Sequence, residues 1–518
     1  MPRDSKQAEG IAYGTGPGRW VLAIAVLGSG IVFLDGTVVN VALPRIGEDF
    51  GAETSSLQWI LNGYMLTLAS LILLGGSLGD RYGRRRMFVV GLAWFTISSL
   101  LCAVAPSADA LVGARLLQGV GGALLTPGSL AMIESSFRPA DRARAIGAWS
   151  GLGGVATALG PLLGGWLVEA VTWRAIFLIN VPIGVFVAVM ATRHVPETSN
   201  PDAPDRLDGL GALLAAVGLG GTTYALIQGP DQGWSASIVI AALAGILGLI
   251  AFIFQERRSP HPMMPLNLFR SRQFSAANAV TFVVYAALSG VFFLLVAFLQ
   301  IAAGYSPIAA GAASLPVTVL MLLFSARSGA FAQRFGARIP LTIGPLVIAL
   351  GMLMMTRIDA DADYLTSVLP AVIVFGIGLT FVVAPVTATV LAAAESRHSG
   401  IASGINNAVS RVGGLLAVAV LPLIAGLTGD AFYDPAAMTD GFHTAMYVTA
   451  ALSALGGLIA WATIESDVLG AEEPAEPITG EYSCDFNGPP VLPTHHEEAP
   501  AVGPRLASGG PTPPASSP

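Results

Sequence analysis

Long apolar stretches, separated by short polar breaks, fill the chain from Trp20 to Ile464. A run of about 20 apolar residues, rising about 1.5 Å per residue as a helix, crosses the hydrocarbon core of a bilayer. The pattern predicts spans at Trp20–Leu43, Ser56–Gly76, Met87–Ala105, Ala110–Met132, Ala145–Val168, Ala175–Thr192 and Leu207–Ile227. Seven more follow at Ser237–Phe254, Ala276–Gln300, Ile308–Ala330, Pro340–Thr356, Thr366–Leu391, Ile401–Ile424 and Thr444–Ile464. The expected fold class is an all-α polytopic membrane protein with 14 transmembrane helices.

The polar breaks assign the sides. Gly75 to Phe88, GGSLGDRYGRRRMF, packs one acid and four arginines between two spans, reads as a tight turn at a membrane surface, and cannot lie in lipid. Cationic side chains are retained in the cytoplasm during insertion. With an odd-to-even order, 20 basic residues fall in cytoplasmic segments against three outside, Arg45, Arg174 and Arg357. Both termini are therefore expected in the cytoplasm, with the plasma (inner) membrane as the location.

Composition sharpens this picture. The chain has 518 residues, 53% hydrophobic and 11% charged, with a mean hydropathy of +0.68, too apolar for a soluble protein of this size. The net charge of −7 belongs to the end of the chain, since nine acids and one arginine lie from Glu465 onward, leaving 24 acids against 25 bases. No basic patch suggests nucleic acid. Cys102 and Cys484 provide neither a disulfide framework nor metal-ligand spacing, and the histidines are scattered. No cofactor is expected, and the first span reads as an uncleaved anchor.

An internal repeat organises the spans. Gly329, Gln333, Arg334 and Gly336 align with Gly76, Asp80, Arg81 and Gly83, and each set follows the second span of a six-span half. Five segments follow: residues 1–19, a cytoplasmic tail; 20–192, a six-helix bundle; 193–256, an inserted pair of spans; 257–464, a second six-helix bundle; and 465–518, an acidic, Pro-rich tail expected to be disordered. Two parallel repeats of this kind hold substrate between them near the midplane.

Charges inside spans carry the chemistry, because an ionisable group in lipid is costly and marks function. Asp35 lies about 12 Å from the outer end of the first span and Arg115 about 8 Å from that of the fourth, counted at 1.5 Å per residue. They share a depth and can meet. The pair is either a proton switch, in which protonation and substrate binding exclude each other, or an ion pair stapling two helices. In the fifth span, Gly147, Gly160, Pro161, Gly164 and Gly165 make a thin, kinked face for close packing. Asn40, Trp59, Asn62, Tyr64, Gln118 and Asn406 are candidates to line a polar-aromatic cavity. Arg411, beside Asn407, either binds a polar or anionic substrate group or locks the second half.

The residues Gly76, Asp80, Arg81, Gly83, Arg84 and Arg85, in the pattern G-x-x-x-D-R-x-G-R-R, resemble the loop between the second and third helices of the major facilitator superfamily. The span-5 glycines resemble the antiporter motif of its exporters, with Ala156 standing where that pattern usually has another glycine. With DGTVVNVALP, QWILNGYML and the count of spans, residues Trp20 to Ile464 resemble the fourteen-span drug:proton antiporters of the EmrB/QacA type. The resemblance implies the major facilitator fold and alternating access driven by proton entry, with Asp35 and Arg115 coupling. It also implies that the turn acts as a latch, Asp80 docking near the start of span 13.

The expected function is proton-coupled efflux of amphipathic small molecules such as drugs, antibiotics or toxic metabolites, by a monomer. A near-solitary mid-span acid favours neutral, zwitterionic or anionic amphipaths over divalent cations. A dedicated exporter of one endogenous metabolite fits the same residues. A polytopic enzyme would need catalytic acids or histidines in sizeable loops, which this chain lacks; no enzymatic activity is expected.

Overall fold

The computed structural model describes residues 10–200, 207–394 and 399–469. Among these, fourteen helices are long and apolar enough to cross a membrane. They are α1 (Gly16–Phe50), α2 (Thr54–Tyr82), α3 (Arg84–Ala103), α4 (Ala108–Ser136), α5 (Pro139–Ala170), α6 (Ala175–His194) and α7 (Gly209–Gln232). Then come α8 (Ala236–Arg258), α9 (Arg272–Ile301), α10 (Pro307–Ala313, resuming as Leu315–Phe335), α11 (Arg338–Met355), α12 (Tyr364–Ala392), α13 (Ser399–Ile424) and α14 (Pro435–Thr463). The Pro-rich tail from residue 470 lies outside the described residues.

Helices outrun the apolar stretches because backbone hydrogen bonding does not stop where lipid stops. Two differences from the expected pattern follow. The last helix begins at Pro435 rather than Thr444, because Asp434 accepts the backbone N–H of Ala437 at 2.7 Å and Pro435 suits a first turn. The expected turn from Gly75 to Phe88 is almost wholly helical: α2 runs to Tyr82, α3 starts at Arg84, and Gly83 alone breaks the path with φ 106°. A side chain is strained at that angle. Gly336 ends α10 in the same way, with φ 88°, so the sequence repeat is also a repeat of conformation.

Packing shows the two halves. α1 lies against α5 and α6, α2 against α4, and α3 against α4 and α6; α9 lies against α13 and α14, α10 against α12, and α11 against α12 and α14. The second set is the first displaced by eight helices. The halves meet along two seams, α2 on α13 and α5 on α10, and the same displacement exchanges one seam for the other.

α7 and α8 stand outside this symmetry. They pair closely through Gly218 and Gly221 against Gly245 and Gly248; a Cβ at Gly248 would lie 2.9 Å from the Gly218 nitrogen. α8 turns Ile240, Leu243, Leu247 and Ile250 outward, each more than half exposed, as a lipid-facing helix does. α7 packs on both α2 and α13.

One end of the bundle is tied across the halves. Gln58 Nε2 donates to the Val418 carbonyl at 2.7 Å, Thr54 Oγ1 to Gly429 O at 2.9 Å, Tyr433 OH to Ala52 O at 2.6 Å and Gln300 Nε2 to Val41 O at 3.1 Å. At the other end, residues 10 and 11 strap the α4–α5 turn, with Ile11 N donating to Ser136 O at 2.8 Å.

Candidate functional site

Asp35 and Arg115 meet. Their side chains are 0% and 1% exposed, and Arg115 Nη1 pairs with Asp35 Oδ2. Two charges in so dry a place require further partners, and the N-terminal half supplies them. Gln118 Nε2 donates to Asp35 Oδ1 at 2.9 Å and Asn180 Nδ2 to the same oxygen at 3.2 Å. Arg115 Nε donates to the Ile60 carbonyl at 3.0 Å and Nη1 to Gln118 Oε1 at 2.6 Å. The guanidinium also lies over the Tyr64 ring, 4.3 Å from its centroid, a cation–π contact strengthened by desolvation. Tyr64 OH in turn donates to Val32 O at 3.3 Å.

Five helices thus converge on one carboxylate: α1 gives Asp35, α2 Tyr64 and the Ile60 carbonyl, α3 Ser99, α4 Arg115 and Gln118, and α6 Asn180. Ser99 Oγ accepts from Gln118 Nε2 at 2.8 Å and from Asn180 Nδ2 at 3.4 Å. Cys102 closes the group with a thiol contact to Gln118 Oε1 at 3.6 Å. Ser99, Cys102 and Asn180 were not anticipated. The signal for Asn180 was there, an amide inside the apolar run AIFLINVPIGVF.

The expected cavity divides. Tyr64 and Gln118 join the Asp35 cluster, whereas Trp59 and Asn62 turn away from it: Trp59 meets Tyr224 of α7 at 6.2 Å between ring centroids. Residues one turn apart on a helix share a face, and Asn62 follows Gln58, which bonds α13. Asn40 is half-buried on α1. Asn406 Nδ2 donates to Thr281 Oγ1 at 2.8 Å and to Asn278 Oδ1 at 3.2 Å, tying α13 to α9. Arg411 is half-buried and donates weakly to Asn407 Oδ1 at 3.4 Å. A cavity of about 850 Å³ at the α8–α9 connection, lined by Glu256, Arg257 and Arg270 among others, is remote from Asp35.

At the α2–α3 turn, Asp80 Oδ1 accepts from Arg84 Nη2 at 2.8 Å and Nε at 3.0 Å. The carboxylate at the start of α3 is not Asp80 but Glu197, in the segment after α6. It accepts the backbone N–H groups of Arg85 and Arg86, each at 3.1 Å, where a helix N-terminus favours an anion. Arg84 N donates to Thr198 O at 2.8 Å and Asn200 N to Asp80 O at 2.9 Å, so residues 197–200 strap the turn. A Cβ at Gly83 would lie 2.6 Å from Glu197 Oε1. The tight approach of α2 to α4 falls on Gly75, whose Cβ would strike the Ala123 backbone, whereas one at Gly76 of the motif has ordinary room at 3.6 Å from Pro127. Arg81 lies over the Tyr82 ring at 5.3 Å. The expected docking of Asp80 at the start of α13 adjoins residues 395–398, outside the described residues.

The α5 glycines look two ways. Gly160 and Gly164 face α1, where added Cβ atoms would meet Leu34 O at 3.2 Å and Val38 Cγ2 at 2.6 Å. Gly165 faces α10, where one would lie 2.6 Å from Ile308 Cα, and the Pro161 carbonyl abuts Gly311. The first pair holds α5 inside its own half and the second forms a seam between halves. Gly147 faces open space.

Two pseudo-symmetric six-helix bundles, the first of which encloses a buried, hydrogen-bonded ion pair, make up an all-helical membrane protein. The family model for the Major Facilitator Superfamily matches residues 25–418; the chain belongs to that superfamily and is a membrane transporter of small molecules. It is 38% identical over 470 residues to a protein described as a probable actinorhodin transporter of Streptomyces coelicolor, covering 88% of this chain and 81% of that one. It is 34% identical to the tetracenomycin C resistance and export protein of Streptomyces glaucescens, covering 90% and 85%, and 35% identical to a methylenomycin A resistance protein of Bacillus subtilis, covering 85% and 93%. Among solved structures, a bacterial homolog of the human lysosomal transporter Spinster superposes with a TM-score of 0.63 at 17% identity, covering 88% and 98% of the two chains. A peptide transporter gives 0.65 at 15% identity, covering 89% and 98%. These two likenesses concern the fold.

Proposed function

We propose that this chain exports amphipathic small molecules across the cell membrane in exchange for protons, as a monomer with both termini in the cytoplasm. The observation that carries the proposal is the Asp35–Arg115 pair, buried completely and reached by five helices. The resistance and export roles named for its relatives support the direction of transport.

Protonation of Asp35 neutralises the carboxylate and leaves the Arg115 charge without its counter-ion. Arg115 then keeps the Tyr64 ring and the Ile60 carbonyl, both on α2, and loses its hold on α1. Because α2 also carries the seam to α13, a proton arriving at Asp35 alters the helix that joins the halves. A single charge moved through the membrane potential is worth about 2.3 kcal/mol per 100 mV, enough to bias such a cycle. In the proposed orientation the cross-tied end of the bundle faces outside, so this conformation is closed outward. Asp80, Arg84 and the Glu197 strap, all within the first half in this conformation, supply the latch that engages the second half when the cytoplasmic end closes, and the seam at Gly165 and Gly311 closes the outer end.

The test is transport in liposomes with an imposed acid gradient, comparing native protein with Asp35→Asn. Gradient-driven efflux by the native protein and its loss in the variant are expected. Coupled transport that survives the substitution removes Asp35 from the mechanism. A second reading, export of a single endogenous metabolite, is favoured by relatives named for one compound each, and a panel of compounds separates it from broad efflux.

A further inference from the structure

Asn62 of α2 and Thr223 of α7 are fully buried, and among the described residues neither the two polar atoms of the amide nor the Thr223 hydroxyl has a hydrogen-bond partner. Polar side chains in a protein interior are nearly always paired, and one left unpaired calls for an explanation. Both lie in the same place. α2 and α7 run antiparallel, and two contacts fix their register: Trp59 with Tyr224 on one side, and Leu66, whose Cδ2 is 3.5 Å from a Cβ built at Gly220, on the other. Asn62 and Thr223 both fall between these contacts.

Their faces agree as well. Gly218, Gly221 and Thr222 turn toward α8, while Leu219 joins Leu66, Ala69 and Leu415 in an apolar cluster of α7, α2 and α13. Thr223 is one turn beyond Leu219 on that same face, and Asn62 one turn before Leu66. An unpaired amide and an unpaired hydroxyl therefore sit between an apolar plug and an aromatic pair.

The two seams differ at this point. The α5–α10 seam is backbone against backbone at Gly165 and Gly311 and has no space for a ligand group. The α2–α13 seam, tied by Gln58, carries the unpartnered Asn62 amide one turn further along α2 and is backed by α7, which carries Thr223 and belongs to neither repeat. We propose that Asn62 and Thr223 form a hydrogen-bonding subsite for the transported molecule, filled when α2 and α13 part. An amide and a hydroxyl each donate and accept without charge. The subsite accordingly takes an uncharged hydroxyl, carbonyl or amide group of an amphipathic substrate, and gives the inserted helix a role in selection.

This rests on the efflux reading, and the experiment separates the two. Native protein, Thr223→Val, Asn62→Leu and Asn62→Ala are reconstituted in liposomes, and gradient-driven transport is measured for chloramphenicol and 1-naphthol, which carry hydroxyl groups, and for tetraphenylphosphonium, which has no hydrogen-bonding group. KM for the hydroxylated probes is expected to rise about tenfold or more in Thr223→Val and Asn62→Leu, with tetraphenylphosphonium within about twofold and thermal stability unchanged or raised. Equal effects on all probes, no effect on any, loss of stability in both Thr223→Val and Asn62→Leu, or native transport of tetraphenylphosphonium alone overturns the subsite. Native protein that moves no probe sinks the efflux reading and the subsite together.

Discussion

The buried pair at Asp35 sets the energetics of single residues. Removing one partner of such a pair leaves a naked charge and costs about 3–5 kcal/mol, whereas neutralising both is often tolerated. Arg115→Ala should therefore lower the yield of folded protein sharply, because Asp35 retains only Gln118 and Asn180. In Asp35→Asn, the arginine keeps the Tyr64 ring, Ile60 and Gln118, and the loss should be smaller. The double variant Asp35→Asn/Arg115→Gln should regain most of the folded yield in detergent without regaining coupled transport. If the double variant unfolds as readily as Arg115→Ala, the cost arises from packing and not from charge. Asp35 and Arg115 were legible in the sequence because a charge in an apolar run has few explanations. Ser99 and Thr223 were not, and the Asn180 amide stood out without declaring a role, since neutral polar residues also serve as ordinary interhelical contacts and only three-dimensional neighbours tell the cases apart.

At the scale of helices, the spans were legible because lipid requires each crossing to be continuous and apolar. Their ends were not, since capping and aqueous extension are decided outside the lipid, as at Asp434 and Gly83. The α2–α3 turn shows the consequence. Gly83→Ala must adopt a strained φ of 106° and press on Glu197, a cost of about 1–3 kcal/mol. It should loosen the strap at residues 197–200, detected as faster hydrogen exchange at Arg85 and Arg86, whereas Gly76→Ala, with ordinary room beside Pro127, should leave exchange there unchanged. Gly165→Leu is expected to act at the opposite end by wedging α5 from α10, so that outer-end cysteine reporters become reactive while the Glu197 strap stays protected. The closing contact of Tyr433 follows pH in a defined way. Burial, with a smaller contribution from Glu48, pushes its phenol up to about 12. A raised phenol keeps its proton, so donation to Ala52 is complete below the ordinary value of about 10 and is lost as pH rises through the folded value. Tyr433→Phe should increase outer-end labelling equally at pH 6 and pH 9, within the range of about 5–9 where the phenol does not titrate; an effect confined to the higher value would contradict this.

For the whole molecule, the exchange of seams under an eight-helix displacement means that both seams carry equivalent contacts on the same side of the bundle. Contacts made by α2 with α13 are matched by those of α10 with α5, so the two seams are placed to open or close together. The inserted pair does not disturb this. Two helices return the chain to the side it left, and the second bundle keeps the orientation of the first, so Gly83 and Gly336 end their helices on the same side. That side holds the Arg84, Arg85 and Arg86 cluster, and the proposed orientation places it in the cytoplasm, from which every other segment follows. The assignment is tested on the inserted pair itself, in a Cys102→Ser/Cys484→Ser background. Gln232→Cys and His261→Cys place single thiols at exposed positions beyond opposite ends of α8. A membrane-impermeant maleimide added to intact cells should modify the first and spare the second, and cell lysis should make both reactive. The reverse pattern would turn the Glu197 strap outward and the Tyr433 contact inward, and exchange the gates assigned to them. Modification of both in intact cells would mean that α8 does not cross the membrane and that α7 cannot stand against α2 through the lipid.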